Sequence, residues 1–203
     1  MHKSVLISIR PRWIDLISRG KKTIEVRKTR PKLDPPFKCY IYCTHSTDHP
    51  CGYIGCYDHD WHTFGLISPL NIEAGKHFNI EVVSGKVVGE FTCDAILPII
   101  VFDNGSIQNW NFWSLNESCM SYEDMADYIG RGKQGYGWRI SELKIYDEPR
   151  NVSDFKIGDA CPFLGRNGCS YEFHCFRAGK TMRCGNYLDK APQSWCYVQN
   201  LED

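Results

Sequence analysis

Short runs of alternating apolar and polar residues constrain the fold of this chain more than any other feature. A two-residue period is typical of β-strands with one buried face, whereas helical side chains repeat about every 3.6 residues. The two-residue period is clear in residues 4–10, 21–30 and 37–44. Because Gly or Pro residues follow these runs, the sequence predicts several short strands rather than a bundle of helices.

Two short helices are predicted between the strands. The first begins at Pro11, which the first helical turn tolerates, and Gly20 ends it. The second covers residues 121–129, where Ser121 can cap the N-terminus. Together with five to seven short strands, these helices predict an α+β fold, a small and partly open β-barrel with helical decoration.

The composition of the runs also predicts where some strands lie. Residues 37–44 are rich in β-formers on both faces and are predicted to form a central strand. Residues 79–83 and 86–94 are predicted to pair with each other across a two-residue turn. Residues 138–140 and 143–146 are predicted to form the closing strands.

Residues 45–76 interrupt the strand pattern. Gly, Pro, Asp and His dominate this segment, so it is predicted to be a long inserted loop. Trp61 and Phe64 would then border a cleft and help to select a ligand. The segment also contains residue types that bind transition metals: His45, His49, Cys51, Cys56, His59 and His62.

The chain has 203 residues, which suits one domain of ordinary size. We expect residues 1–150 to form that domain and residues 151–203 to form a Cys-rich extension packed on it. The sequence has no apolar run of about 18 residues and no signal-peptide pattern, so we expect a soluble, cytoplasmic protein with no membrane partner. The oligomeric state is left open.

Eleven cysteines are many for a chain without an export signal, and an odd number cannot all pair within one molecule. Four of them have the spacing C-x7-C-x5-C-x8-C and could bind a structural zinc ion: Cys161, Cys169, Cys175 and Cys184. The alternative is that they are reduced thiols. No other cofactor is expected.

The net charge of zero hides an asymmetry. Residues 1–38 contain eleven Lys and Arg but three Asp and Glu, so this segment carries +8 and the remainder carries −8. A basic segment of this kind is either a solvated surface or a surface that binds phosphates or nucleic acid. Charge alone leaves both interpretations open.

Three motifs in order resemble the ASCH domain of the PUA-like superfamily. They are G-x-K-x-x-E-x-R at residues 20–27, GKVVGEFTCD at 85–94 and GYGWRISELKIYDEP at 135–149. The chain is also similar to longer ASCH proteins of bacteria and phages, which end in a motif like PQSWCYV at residues 192–198. The resemblance implies a PUA-like β-barrel whose cleft is lined by the first motif. It also implies binding of RNA, DNA or a modified nucleoside.

The charged residues of the first motif suit that role. Lys22 and Arg27 can bind phosphate or a carbonyl oxygen, and Glu25 can accept from a base amino group. Tyr136 and Trp138 could stack on an unstacked base, although a Trp in a closing strand more often belongs to the core. The predicted nucleic-acid-binding residues are Arg10, Lys21, Lys22, Thr23, Glu25, Arg27, Lys28, Arg30, Tyr136, Trp138 and Arg139.

Two alternatives to nucleic-acid binding stay open. One branch of ASCH proteins hydrolyses N4-acetylcytidine with a Lys and a Thr three residues apart, together with a Glu elsewhere, and the matching positions here are Lys22 and Glu25. A carboxylate replaces the nucleophilic hydroxyl, so hydrolysis would need Glu25 as a general base and Lys22 as the oxyanion stabiliser. The other alternative is a protein-interaction module that uses the insertion and the Cys-rich end.

Overall fold

The computed structural model gives the structure of most of the chain. It describes residues 3–46, 50–56, 62–67, 78–108, 112–157, 164–165, 168–169 and 187–201. Its α-helices are α1 (Pro11–Ser18), α2 (Phe112–Ser118) and α3 (Tyr122–Ile129), and a short 3-10 helix covers Val152–Asp154. Its strands are β1 (Lys3–Ile9), β2 (Ile24–Arg27), β3 (Phe37–Cys43), β4 (Cys51–Cys56), β5 (His62–Leu66), β6 (Phe78–Val82), β7 (Val87–Val101), β8 (Ile107–Gln108), β9 (Gln134–Arg150), β10 (Leu164–Gly165), β11 (Gly168–Cys169) and β12 (Trp195–Gln199). The described structure is mostly β, in agreement with the predicted α+β class.

Seven strands form the main sheet. Six of them follow the order β12-β1-β3-β7-β9-β2, and β8 pairs with β7. β1 and β3 run parallel, whereas the other neighbouring strands are antiparallel. β3 is paired on both sides, so the prediction of a central strand at residues 37–44 is confirmed.

The main sheet is open, because no backbone pairing between described residues joins its edge strands β2 and β12. The predicted barrel is therefore not closed. Two side chains of β12 instead form hydrogen bonds with the segment that follows β2. Trp195 Nε1 donates to Thr29 Oγ1 at 3.0 Å, and the amide of Lys32 donates to the Tyr197 hydroxyl at 2.6 Å. β2 is only four residues long and offers little backbone for a further ladder.

A second sheet has the order β5-β4-β6 and corrects two predictions. β4 and β5 lie in the segment that was predicted to be an irregular loop. The predicted pairing of residues 79–83 with 86–94 is wrong, because β6 pairs with β4 while β7 pairs with β3, β8 and β9. The amide of Gly85, at φ +92°, donates to the Cys43 carbonyl oxygen at 2.7 Å and so directs β7 onto β3.

The core lies on both faces of β3, as the alternation of its side chains predicts. Cys39, Ile41 and Cys43 belong to a buried cluster with residues of β1, α1 and β7. Tyr40 and Tyr42 belong to a second cluster on the opposite face. A third cluster packs α3 against β2 and β7. Both faces of the central part of the sheet are therefore covered, which accounts for its apolar sequence.

Helix α3 begins where its capping residue predicts. The Ser121 hydroxyl accepts from the amide of Asp124 at 3.0 Å and caps the N-terminus. Met125, Ala126 and Ile129 are buried on one side of the helix, whereas Tyr122 is exposed. The sequence did not predict α2. Within the described ranges, no helix is both long enough and apolar enough to cross a membrane.

The described end of the chain joins the main sheet. β12 pairs antiparallel with β1, and Val198 belongs to the same buried cluster as Tyr40. Of the four predicted zinc ligands, Cys161, Cys175 and Cys184 lie outside the described residues. Only the backbone of Cys169 is described, in β11. The zinc site and the Cys-rich extension stay predictions.

Candidate functional site

Strand β2 and the turn before it position three charged side chains. Gly20, at φ +68°, ends α1, and the amide of Lys22 then donates back to the Leu16 carbonyl oxygen at 3.1 Å. The alternation in β2 places Ile24 and Val26 in the cluster beneath α3. Glu25 and Arg27 therefore project from the other face of the strand. The two-residue period of residues 21–30 predicts this alternation of faces.

The three charged side chains are buried and paired. Lys22 Nζ lies 3.4 Å from Glu25 Oε2, and Arg27 Nη2 lies 3.0 Å from Glu25 Oε1. Their side chains are only 1%, 6% and 8% exposed for Lys22, Glu25 and Arg27. Buried charges are tolerated only when they are paired, because each loses its hydration. The result is a row of charges in the order cation, carboxylate, cation.

Backbone carbonyl groups hold both cations in place. Lys22 Nζ donates to the Ser118 carbonyl oxygen at 2.7 Å and lies 4.8 Å from the centre of the Trp13 ring. Arg27 Nη2 donates to the Ser8 carbonyl oxygen at 2.5 Å. Arg27 Nε has no hydrogen-bond partner among the described residues. An unpaired buried donor is costly, because it has lost its hydration without gaining a hydrogen bond.

The surroundings also change how Lys22 titrates. Burial lowers the pKa of Lys22, because the low-dielectric interior disfavours its charged form, and the neighbouring Glu25 carboxylate opposes this shift. Burial likewise raises the pKa of the Tyr128 hydroxyl. A lysine with a lowered pKa in a partly enclosed space is a recognised sign of a functional site.

The three charged groups line a cavity of about 410 Å³, which we call the β2 cavity. Its size falls in the range of small-molecule sites, roughly 300–1,000 Å³. Trp13 and Tyr128 supply aromatic rings to its wall, and Ser8 and Thr44 supply polar groups. The cavity therefore offers a ligand two cations, a carboxylate and aromatic rings.

Comparison with solved structures identifies the fold. The chain is similar to the crystal structure of ASCH from Zymomonas mobilis, with a TM-score of 0.51 and 17% identity over 97% of this chain and 87% of that chain. It is also similar to a tyrosine-to-phenylalanine mutant of the same protein, with a TM-score of 0.50 and 18% identity over 98% and 91% of the two chains. The chain has the ASCH fold. No protein-family model matches the sequence, and no curated protein does.

Within this ASCH fold, the predicted basic residues fall into two groups. Arg10 is exposed and lines the β2 cavity. Lys28 is exposed, with Nζ 5.2 Å from the centre of the Tyr128 ring, and Arg30 is exposed near Asp34. Lys28 and Arg30, like Lys21 and Thr23, are not among the residues that line the cavity. Of the exposed cations, Arg10 lines the cavity and Lys28 lies against Tyr128 in its wall.

The predicted aromatic surface is not where the sequence placed it. Trp138 pairs with Glu25 in the ladder but is fully buried, packed against Phe37 and Trp195 at ring distances of 5.9 and 6.0 Å. It presents no open face to a base and lies in the core, the alternative that the sequence left open. Tyr136 is half-buried against the same cluster, and Arg139 is bound to Asp94 at 2.7 Å.

Trp13 and Tyr128 replace them as the aromatic residues of the cavity, and the sequence did not predict this. Both lie on short helices, where an aromatic side chain usually indicates core packing. One available signal was Ser8, a polar residue that interrupts the apolar run from Val5 to Ile9 in β1. The other lining residues come from distant parts of the chain, which no local pattern brings together: Thr44, Met120 and Gln193.

No metal centre is formed by the part of the chain that the structure describes, because no three His, Cys, Asp or Glu side chains there lie close enough to bind one. Of the residues in the insertion, Cys51 is buried and Phe64 packs edge-on against Tyr53 at 5.4 Å. Phe64 thus has a structural role in the second sheet. Trp61, His49 and His59 lie outside the described residues.

Proposed function

We propose that the protein binds RNA by accepting one unstacked nucleobase in the β2 cavity. The observation that carries this proposal is a row of three buried charges of both signs, Lys22, Glu25 and Arg27, facing a cavity of about 410 Å³. Base edges carry donors and acceptors side by side, and proteins that read single-stranded RNA bind those edges in pockets.

The surroundings of the cavity supply the other contacts that RNA binding needs. Trp13 and Tyr128 can stack on the base, an interaction worth about 1–3 kcal/mol per base. Arg10 is exposed and lines the cavity, and Lys28 is exposed beside Tyr128, so both can bind phosphates next to the base. Such contacts release counterions, so the affinity is expected to fall steeply as salt increases.

The test is equilibrium binding to single-stranded RNA, duplex RNA and single-stranded DNA over a series of salt concentrations. We expect the tightest binding to single-stranded RNA and a loss of affinity in Lys22→Met and in Trp13→Ala. Lys144→Met is the matched control, because Lys144 is exposed on β9 and does not line the cavity. Affinity that is the same in all four proteins would refute the proposal.

A second candidate function is hydrolysis of an amide on a modified nucleoside such as N4-acetylcytidine. The lowered pKa of Lys22 favours it, because a neutral amine can act as a base or nucleophile. Both oxygen atoms of the Glu25 carboxylate form ion pairs with the neighbouring cations, so RNA binding is the better supported function. Release of cytidine from N4-acetylcytidine by the intact protein, and its loss in Lys22→Met, would establish the hydrolase instead.

A further inference from the structure

The order of the charges in the β2 cavity determines which pattern of hydrogen-bonding groups a ligand must have. Lys22 contacts one oxygen of the Glu25 carboxylate and Arg27 contacts the other, so the protein presents donor, acceptor, donor in sequence. Each of the three groups can still form hydrogen bonds with a ligand. An ammonium has three donors and a carboxylate has about four acceptor positions, and the contacts described above use only part of them.

The four common bases differ in the pattern that they present to such a row. The edge of uracil reads acceptor, donor, acceptor, from O4, N3–H and O2. The edge of cytosine reads donor, acceptor, acceptor, that of adenine begins donor, acceptor, and that of guanine reads acceptor, donor, donor. Among these, the uracil pattern alone places a carbonyl oxygen against each cation and an N–H against the carboxylate.

We propose that the β2 cavity selects a base with a cyclic imide edge, uracil or a uracil derivative, through Lys22, Glu25 and Arg27. This inference rests on the proposed function, because it assumes that a base enters the cavity. The imide edge has the same pattern in both directions, so uracil satisfies the three groups whichever way it enters. Cytosine places its N3 lone pair against the Glu25 carboxylate in both orientations.

Burial makes the mismatch between cytosine N3 and the Glu25 carboxylate costly. Glu25 is only 6% exposed, so little water can come between its oxygen atoms and an opposing lone pair. A buried acceptor that faces another acceptor loses its hydrogen bond and gains repulsion, and removal of one such bond to a charged group reduces affinity by roughly tenfold or more. Guanine matches two positions of the row and fails at the third, where its amino group faces a cation.

The test compares nucleosides that differ by one group, using calorimetric titration of the wild-type protein. We expect uridine to bind at least about tenfold more tightly than cytidine. We expect 3-methyluridine, which keeps both carbonyl groups and lacks the N–H, to lose about as much. The matched control is 5-methyluridine, which carries an added methyl group but keeps the imide edge and should bind like uridine. Oligonucleotides of U and C at equal salt give the same comparison in the RNA context.

The outcomes separate the two proposals. Equal binding of uridine, cytidine and 3-methyluridine, each lost in Lys22→Met, would keep the nucleobase cavity and refute the imide preference. No binding of any nucleoside or oligonucleotide would refute both. A variant adds an independent readout: Glu25→Gln, with its folding checked by circular dichroism, should bring uridine and cytidine to similar affinities, because an amide can also donate to cytosine N3. A uridine preference unchanged in a folded Glu25→Gln protein would overturn the proposal.

Discussion

The row of buried charges makes a strong prediction about stability. Glu25→Gln keeps the shape of the side chain but removes the negative charge that lies 3.4 Å from Lys22 Nζ and 3.0 Å from Arg27 Nη2. Two buried cations then lack a counter-charge. Removing one partner of a buried ion pair costs about 3–5 kcal/mol, because the remaining charge stays desolvated. We therefore expect the free energy of unfolding to fall by about 3 kcal/mol or more.

The assay is urea unfolding at equilibrium, followed by tryptophan fluorescence, with thermal melting as a second measurement. A chain of this size loses roughly 2–4 °C in Tm for each kcal/mol. Glu148→Gln is the matched control, because Glu148 is exposed on β9 and should change stability by less than about 0.5 kcal/mol. If Glu25→Gln is as stable as this control, the carboxylate does not compensate the two cations and the argument fails.

The loss of stability in Glu25→Gln should also depend on pH. In the wild-type protein the pKa of Lys22 is lowered in the folded state, so the unfolded state binds more protons in the window between the lowered pKa and the usual value for lysine. Stability from this group therefore rises with pH across that window. In Glu25→Gln the pKa of Lys22 should fall further, since the carboxylate that opposed the shift is gone. The loss of stability caused by the substitution should consequently be larger at pH 6 than at pH 9, and a loss that grows with pH would contradict this account.

Three further predictions concern the framework around the cavity. Trp138→Ala should reduce the free energy of unfolding by about 3–5 kcal/mol, because Trp138 is fully buried, and urea unfolding measures the loss. Ser121→Ala should reduce it by about 1 kcal/mol through loss of the cap on the Asp124 amide, while Ser121→Asp should restore most of the loss in the same assay. Burial raises the pKa of the Cys93 thiol to about 12, so Cys93 should be alkylated by iodoacetamide at pH 8 far more slowly than the partly exposed Cys119. Mass spectrometry of the peptides follows the two sites, and equal rates would show that Cys93 is not protected.

The elements that could be predicted from the sequence are those that local periodicity defines. The alternation in residues 4–10 and 37–44 became β1 and β3, and Ser121 capped α3, because side-chain direction and capping depend on neighbours along the chain. The same local rule placed Glu25 and Arg27 on one face of β2. The charged half of the candidate site was therefore predictable.

The rest depended on contacts between distant parts of the chain. β6 pairs with β4 rather than with β7, although β7 follows it directly, because strands formed inside the insertion compete for its backbone groups. β12 is joined to the segment that follows β2 by a side-chain hydrogen bond and not by a ladder, which no pattern in either segment reveals.

In the β2 cavity, too, one part was predictable from local sequence and the other depended on contacts between distant segments. The motif containing Lys22, Glu25 and Arg27 specified which charges are present, and burial in the tertiary structure turned them into a paired row with a lowered lysine pKa. Trp138, which the sequence suggested as a stacking surface, instead packs in the core against Phe37 and Trp195. A charge pattern is fixed by the order of residues, whereas desolvation and the walls of a cavity arise only when remote segments pack together.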